Sequence, residues 1–504
     1  MELGLELAII HSMNAKQYLI RPLLTLLTAC TILSGTAAGH AEEFNLPELG
    51  SPSDQYLTPS DEARLGREFM LSVRKKAHVL DDPLIGEYIQ DLGERLLKQS
   101  DAAGQDFTFF VLDEPEINAF AGPGGYIGIY SGLILATQSE SELASVIAHE
   151  IAHVTQKHLL RAFDAANRMS GKTAALILAS ILVGVAGSAD AGIALATGAQ
   201  AGAIQEQINF TRGNEEEADT VGIEVLADAD FDPRAMPVFF ERLTHANRLY
   251  DSGIPEMLRT HPVTTNRVAD ALGRAETYSY RQYPSSLRYY LIREALRVRQ
   301  FDDPKKAVKH FSSGLDEGRH LNAEAHAYGY ALALTANHQY AEAEERIEKL
   351  LQANPQQVEY LLAAAELAGV RGDSLKKLRI LETSYGLMPE NYPLATAYIK
   401  ALTDTGHYED ARRTAARAIS LRPENSRLYR LASKIEELTG NPAESHRLLA
   451  ESYVSSGQLR AALRQLEIAL KKVAKSDFQQ SSRIESRMAG LKQAVARQEQ
   501  AEKR

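Results

Sequence analysis

The segment His149-Glu150-Ile151-Ala152-His153 places two imidazoles and a carboxylate at a spacing that can do metal chemistry. Positions i and i+4 lie about 400° apart on a helix, so both histidines leave one face. Imidazole nitrogens suit zinc, and Glu150 between them is placed to take a proton from a water that the metal activates. His158 falls on another face of the same helix and reads as solvent-exposed. A catalytic zinc site usually takes a third protein ligand and keeps one position open. Glu215, in Asn214-Glu215-Glu216-Glu217-Ala218-Asp219, is the candidate. Glu215 and Asp219 are four apart and share a helical face with Gly222, beside the apolar positions Ala218, Val221, Val225 and Leu226. Buried carboxylates need partners: zinc would satisfy Glu215, and a ligand histidine's second N–H would satisfy Asp219. Glu216 and Glu217 point elsewhere and read as a solvated face. Without the upstream histidines, the acidic run would read as helix N-terminal decoration.

These side chains need rigid elements behind them. Ser139 and Glu142 have the spacing of a capping box and mark a helix start. Leu143, Val146, Ile147, Ile151 and Val154 then recur at helical spacing, and no proline follows as far as Arg161. Phe107 to Leu112 and Tyr126 to Tyr130 are apolar and β-prone, separated by a Pro-Gly-Gly turn, and predict a small sheet. A sheet edge beside the metal would take an extended peptide by strand addition.

The motif, followed downstream by Glu215-x-x-x-Asp219, resembles the pattern of the zinc metallopeptidases related to the CAAX prenyl proteases and the HtpX membrane proteases. Ile117-Asn118-Ala119-Phe120-Ala121-Gly122-Pro123-Gly124-Gly125-Tyr126-Ile127 and Thr260-His261-Pro262-Val263, with Arg267 beyond, are similar to segments of the family's soluble, secreted branch. The likeness spans roughly residues 60–275. It implies one zinc ion per chain held by His149, His153 and Glu215, with Glu150 as general base and Asp219 orienting a ligand histidine. It also implies a substrate-binding role for Asn118, and His261 as a fourth ligand that holds the enzyme latent. On the residues alone His261 reads equally as a loop histidine. Arg267 reads as a carboxylate partner or substrate clamp, or as a solvated surface residue. The branch that tends outer-membrane β-barrel assembly is the most similar. It implies misassembled or unfolded outer-membrane proteins as substrates and the barrel assembly machinery as partner.

The chain of 504 residues is too long for one core, and about two or three domains are expected. Its net charge of −11 argues against nucleic acid or an anionic membrane surface as the main partner. Lys16 and Arg21 precede an apolar run from Leu23 to Leu33, and Gly39-His40-Ala41 offers a cleavage site, so residues 1–41 read as a signal peptide and the periplasm follows. Met13 would open a more typical one. Cys30, the single cysteine, sits in this segment, within a lipobox-like Leu27-Thr28-Ala29-Cys30, so a lipid anchor is the alternative. The apolar stretch 173–203 is short for a membrane span. It fits a helical hairpin packed as a lid over the active site, or one making peripheral membrane contact.

Pro355, Pro389 and Pro423 recur at 34 residues, and so do Gly372, Gly406 and Gly440, offset from the prolines by 17. Gly406-His407-Tyr408 with Ala411, Ala418, Ile419, Leu421 and Pro423 is similar to the tetratricopeptide pattern. Such arrays stack into a solenoid with a concave binding surface. The expected architecture is α+β and mostly helical: a gluzincin-type zinc protease domain with a small β-sheet over 42–284, then an all-α tetratricopeptide solenoid over 285–475. Residues 476–504 read as a capping helix or tail. The expected function is a periplasmic zinc endopeptidase whose repeats select substrates. The alternative is a tetratricopeptide chaperone or adaptor with a latent or structural zinc site.

Overall fold

The computed structural model describes residues 59–161, 201–249 and 255–502. The expected signal peptide, and residues 173–200 of the apolar stretch, lie outside the described residues. Two helices open the described chain, α1 (Pro59–Lys76) and α2 (Pro83–Leu97). Asp82 starts α2 by accepting from the Leu84 and Ile85 amides, and Pro83 supplies a preset first-turn φ.

Three short strands follow, β1 (Thr108–Leu112), β2 (Ala119–Gly122) and β3 (Tyr126–Tyr130), in the order β1-β3-β2. β1 runs parallel to β3 and β2 antiparallel to it. The third strand was not expected, and the Pro123–Gly125 turn joins β2 to β3 rather than β1 to β3. β2 was hidden because its four residues, Ala-Phe-Ala-Gly, lack the β-branched side chains that mark a strand.

Helix α3 (Ser131–Ala136) leads into α4 (Glu140–Thr155), which carries the His-Glu-x-x-His motif. Ser139 caps α4 by accepting from the Glu142 amide at 3.2 Å. The Glu142 carboxylate reaches back to the Gln138 amide and also pairs with Arg242. Then come α5 (Ala201–Asp228), α6 (Ala235–Leu249), the short α7 (Glu256–Thr260) and α8 (Thr265–Ala275). The core is formed by Ile85, Ile89, Ile127, Ile129, Leu133, Ile147, Ile151, Leu226 and Phe239, all under 2% exposed, from α2 through α6. No described helix is long and apolar enough to cross a membrane.

Helix α9 (Leu287–Arg299) belongs to two cores at once. Tyr289, Ile292 and Leu296 complete the first, whereas Leu291 packs into the repeats. Its N-terminus is tied down by Glu140, which accepts from the Ser286 amide at 2.8 Å and the Ser286 hydroxyl at 2.7 Å. From there helices alternate as α10 (Pro304–Asp316), α11 (Ala323–Ala336), α12 (Tyr340–Ala353), α13 (Val358–Val370), α14 (Ser374–Leu387) and α15 (Tyr392–Asp404). They continue as α16 (Tyr408–Leu421), α17 (Ser426–Leu438), α18 (Pro442–Ser455), α19 (Leu459–Lys472) and α20 (Phe478–Glu502). Each helix packs on the next, which makes a tetratricopeptide-type solenoid. α20 covers its end with Ile484, Met488 and Leu491. The array also packs back on the first helices: Arg422 reaches Glu87 of α2 at 2.5 Å and Arg427 pairs with Asp81.

The turns between paired helices show why glycine recurs. Gly372, Gly406 and Gly440 all have φ near +80°, and His338 occupies the equivalent place with φ +61°. A side chain in that region costs roughly 1–2 kcal/mol. Gly406→Ala is therefore expected to lower unfolding stability by about 1 kcal/mol. His338→Gly should raise stability by less, because His338 also hydrogen-bonds Tyr340 at 2.7 Å. Urea unfolding of the two variants beside the wild type checks both signs.

Candidate metal centre

His149 and His153 leave one face of α4, and α5 crosses that face closely. A Cβ at Gly222 would stand 3.2 Å from the His149 nitrogen and 3.3 Å from its Cα, so the absent side chain lets the Glu215–Asp219 turn lie against the histidines. His149 Nε2 and His153 Nε2 are 3.0 Å apart. Glu215 stands 3.5 Å from the first and 3.4 Å from the second. His261, from the loop between α7 and α8, places Nδ1 3.0 Å from Glu215 Oε1 and 3.4 Å from His149 Nε2. One donor atom from each of these four residues lies within 4.8 Å of the others.

Donor type, spacing and charge all fit a divalent ion. Ligands about 2.1 Å from a tetrahedral zinc are roughly 3.4 Å apart, close to these separations. Glu150, Glu215, Asp219 and Arg267 are 1%, 4%, 4% and 3% exposed. Three carboxylates and one guanidinium are thus buried together. Against the pull of burial, Asp219 and Glu215 raise the His149 ring to about 10, and Glu215 and Glu150 raise His261, so the centre gathers positive charge that a divalent cation would supply in their place. Burial, with His149 alongside, holds His153 well below the usual histidine range, so its ring stays neutral with a lone pair to give. Burial would raise Glu215, but His261, His149 and His153 outweigh it and keep its carboxyl well below the usual carboxylate range. Glu150 goes the other way: burial raises it against the pull of His261 and His149, and a more basic carboxylate suits a proton acceptor.

Asp219 Oδ1 lies 2.9 Å from His149 Nδ1. Arg267 grips Asp219 through Nε at 2.7 Å and Nη2 at 2.8 Å, and its Nη1 meets Glu215 at 2.9 Å and donates to the Pro262 carbonyl at 2.9 Å. The guanidinium is buried against two carboxylates and a carbonyl, which is the placement of a carboxylate partner, the first of the expected roles. Asn118 is buried at the entry to β2. Its Oδ1 accepts from the Ala119 amide at 3.0 Å and its backbone carbonyl accepts from the Tyr130 amide at 3.0 Å. The side chain is thus turned toward the sheet.

His158 is the main correction, since it is buried rather than solvated, at 4% exposed. An unbroken helix would set it about 140° away from His153. Instead α4 ends at Thr155, and Lys157 takes φ +54°, which swings His158 back until the two Nδ1 atoms are 2.9 Å apart. That backbone costs roughly 1–2 kcal/mol for a residue with a side chain, and the only local signal of it is the end of the apolar stripe. Glu217, expected to be solvated, accepts from Arg161 at 2.5 Å and lies 3.2 Å from His158 Nε2. Phe240 also had no sequence signal: it stands edge-on to His149 and under the Arg267 guanidinium, closing the centre's apolar wall.

The description Peptidase family M48 matches residues 83–275, from α2 to the end of α8. The chain is similar to the beta-barrel assembly-enhancing protease of Escherichia coli K12, with 34% identity over 482 residues that cover 94% of this chain and 96% of that relative. The protein of the same name from Yersinia pestis is 37% identical over 63% of this chain and 65% of its own length. A mitochondrial metalloendopeptidase OMA1 of Arabidopsis thaliana is 27% identical over 42% of this chain and 41% of that relative.

Arg267→Met removes the cation from two buried carboxylates while keeping bulk. It is expected to cost about 3–5 kcal/mol of metal-free stability, as breaking a buried pair from one side does. Arg267→Lys should recover only part of this, because an ammonium cannot grip Asp219 with two parallel donors. Chemical denaturation of the two variants measures the difference, and equal stability of Arg267→Met and wild type would refute the assignment.

Proposed function

The chain belongs to the β-barrel assembly-enhancing protease family and carries a peptidase family M48 domain, and from that premise we propose that it is a periplasmic zinc endopeptidase that degrades misassembled outer-membrane β-barrel proteins. Residues 42–284 would form the peptidase domain, 285–475 the repeats that hold substrate or the barrel assembly machinery, and 476–504 the cap. Residues 1–41 would direct export. The observation that carries this reading is the convergence of His149, His153, Glu215 and His261 beside the buried Glu150.

A bound zinc ion would polarise the scissile carbonyl and lower the pKa of a water. His149, His153 and Glu215 would hold the ion, and Asp219, gripped by Arg267, would orient His149. Glu150 accepts the attacking water's proton and returns it to the leaving amine. β2 is paired only with β3 among the described residues, which leaves it an edge, and its Ala121 backbone adjoins the Glu150 carboxylate. An extended peptide adding to that edge lies alongside the base, with Asn118 at the strand's entry shaping the edge rather than reaching out from it. His261 Nδ1 would take the fourth place, and its Nε2 stands 3.5 Å from Glu150 Oε1, so one side chain would cover both the open position and the base. That placement supports a latent resting state. It also favours the second reading, a tetratricopeptide chaperone or adaptor whose zinc site stays closed.

Degradation of casein and of an unfolded outer-membrane β-barrel protein, with zinc content measured for each protein, separates the two. Glu150→Gln is expected to keep its zinc and lose at least about 100-fold in rate, and His261→Ala to cut several-fold faster than wild type, roughly the weight of one blocked ligand position. If all three bind zinc and none cuts, the chaperone reading replaces the protease.

A further inference from the structure

We propose that His158 is a positioning residue for the metal centre, linking the Glu217 carboxylate to His153 so that the His153 ring is held with Nε2 bare and aimed at the ion. This rests on the reading of His153 as a zinc ligand. The His158 ring stands edge-on to the His153 ring, with centroids 4.8 Å apart. Its two nitrogens face different partners, Nδ1 toward His153 Nδ1 at 2.9 Å and Nε2 toward Glu217 Oε2 at 3.2 Å. Glu217 is itself held by Arg161, which also donates to Asn214 Oδ1 at 3.2 Å.

Proton counting leaves one arrangement. Two facing ring nitrogens make a hydrogen bond only when one of them carries a hydrogen. His153 Nε2 points at His149 and Glu215 and must be bare to bind a cation, so the ring's proton sits on Nδ1 and is donated to His158 Nδ1. The His158 proton is then on Nε2 and is donated to Glu217. The other His158 tautomer sets two N–H groups head to head and leaves the carboxylate without that donor.

The two metal histidines are thereby held by parallel chains built on one helix. His149 is met directly by Asp219, which Arg267 grips; His153 is met through His158 by Glu217, which Arg161 grips. Both carboxylates come from the same turn of α5 as Glu215. The left-handed backbone at Lys157 is what brings His158 into this line, and nothing else in the chain's local pattern calls for it.

The test is zinc affinity of the full mature chain by chelator competition, with thermal unfolding of the metal-free forms as a control. His158→Ala is expected to bind zinc about 10–100-fold more weakly, the usual cost of removing an outer partner of a metal histidine. In His158→Asn the amide oxygen sits where Nδ1 was and accepts the same hydrogen, so affinity should return to within about threefold of wild type. Glu217→Ala, at a half-exposed side chain, should weaken binding several-fold and carries the test should His158→Ala not fold. Wild-type affinity in His158→Ala or, if that variant does not fold, in Glu217→Ala overturns the proposal, and so does an equal loss in His158→Asn and His158→Ala. Wild type and His153→Ala report on the centre itself: a wild type that holds no zinc, or a His153→Ala that holds it as tightly, removes the ligand reading and this inference together.

Discussion

Three carboxylates are buried within one small volume, and the protein places a single guanidinium there to meet them. That imbalance organises the peptidase part. Buried charge is tolerated only with partners, so Arg267 engages Asp219, Glu215 and a carbonyl, and the carboxylate charge left over raises the His149 and His261 rings against burial and suits a cation. The same imbalance gives Glu150 its character. It lies beside His149 and His261, yet burial raises its proton affinity while Glu215 is driven the other way. Two glutamates in one pocket are thus pushed in opposite directions.

Holding those charges requires two helices at close range, and Gly222 permits it. α5 presents Glu215, Glu217 and Asp219 from just over one turn, each engaged by a different partner. α4 answers with His149 and His153 from its body and His158 from the turn beyond its end. On the opposite side the Ala121 backbone of β2 adjoins Glu150, and the His261 loop meets Glu150 and Glu215. Access to the centre is decided there, since His153 and His261 are its two less buried members.

The repeats are not a loosely tethered appendage. α9 contributes to both cores, and Glu140, one residue into the motif helix, is bonded to Ser286 at the start of α9 and to Tyr88 of α2. Further along, Arg422 and Arg288 flank Glu87 of α2, whose carboxyl burial raises and whose arginine neighbours pull back. The solenoid therefore meets the scaffold of the motif helix at both its beginning and its middle.

Local periodicity made much of this legible in the chain itself. The i, i+4 spacing of His149 and His153, the cap at Ser139, the matching face of Glu215 and Asp219 and the 34-residue recurrence of glycine and proline all follow from helix geometry, which needs only neighbours in sequence. Tertiary structure decided the rest, because each remaining feature depends on residues far apart or on a break in the period. Lys157 leaves the helical region and so carries His158 from the solvent face to His153. Arg267 finds Asp219 48 residues back along the chain, β2 is a strand only because β3 pairs with it, and His261 meets the centre where α7 is tied to Ile117 by the Met257 amide and Pro262 to Arg267. Spacing can name the atoms able to bind a metal, but burial and long-range packing determine which of them face it.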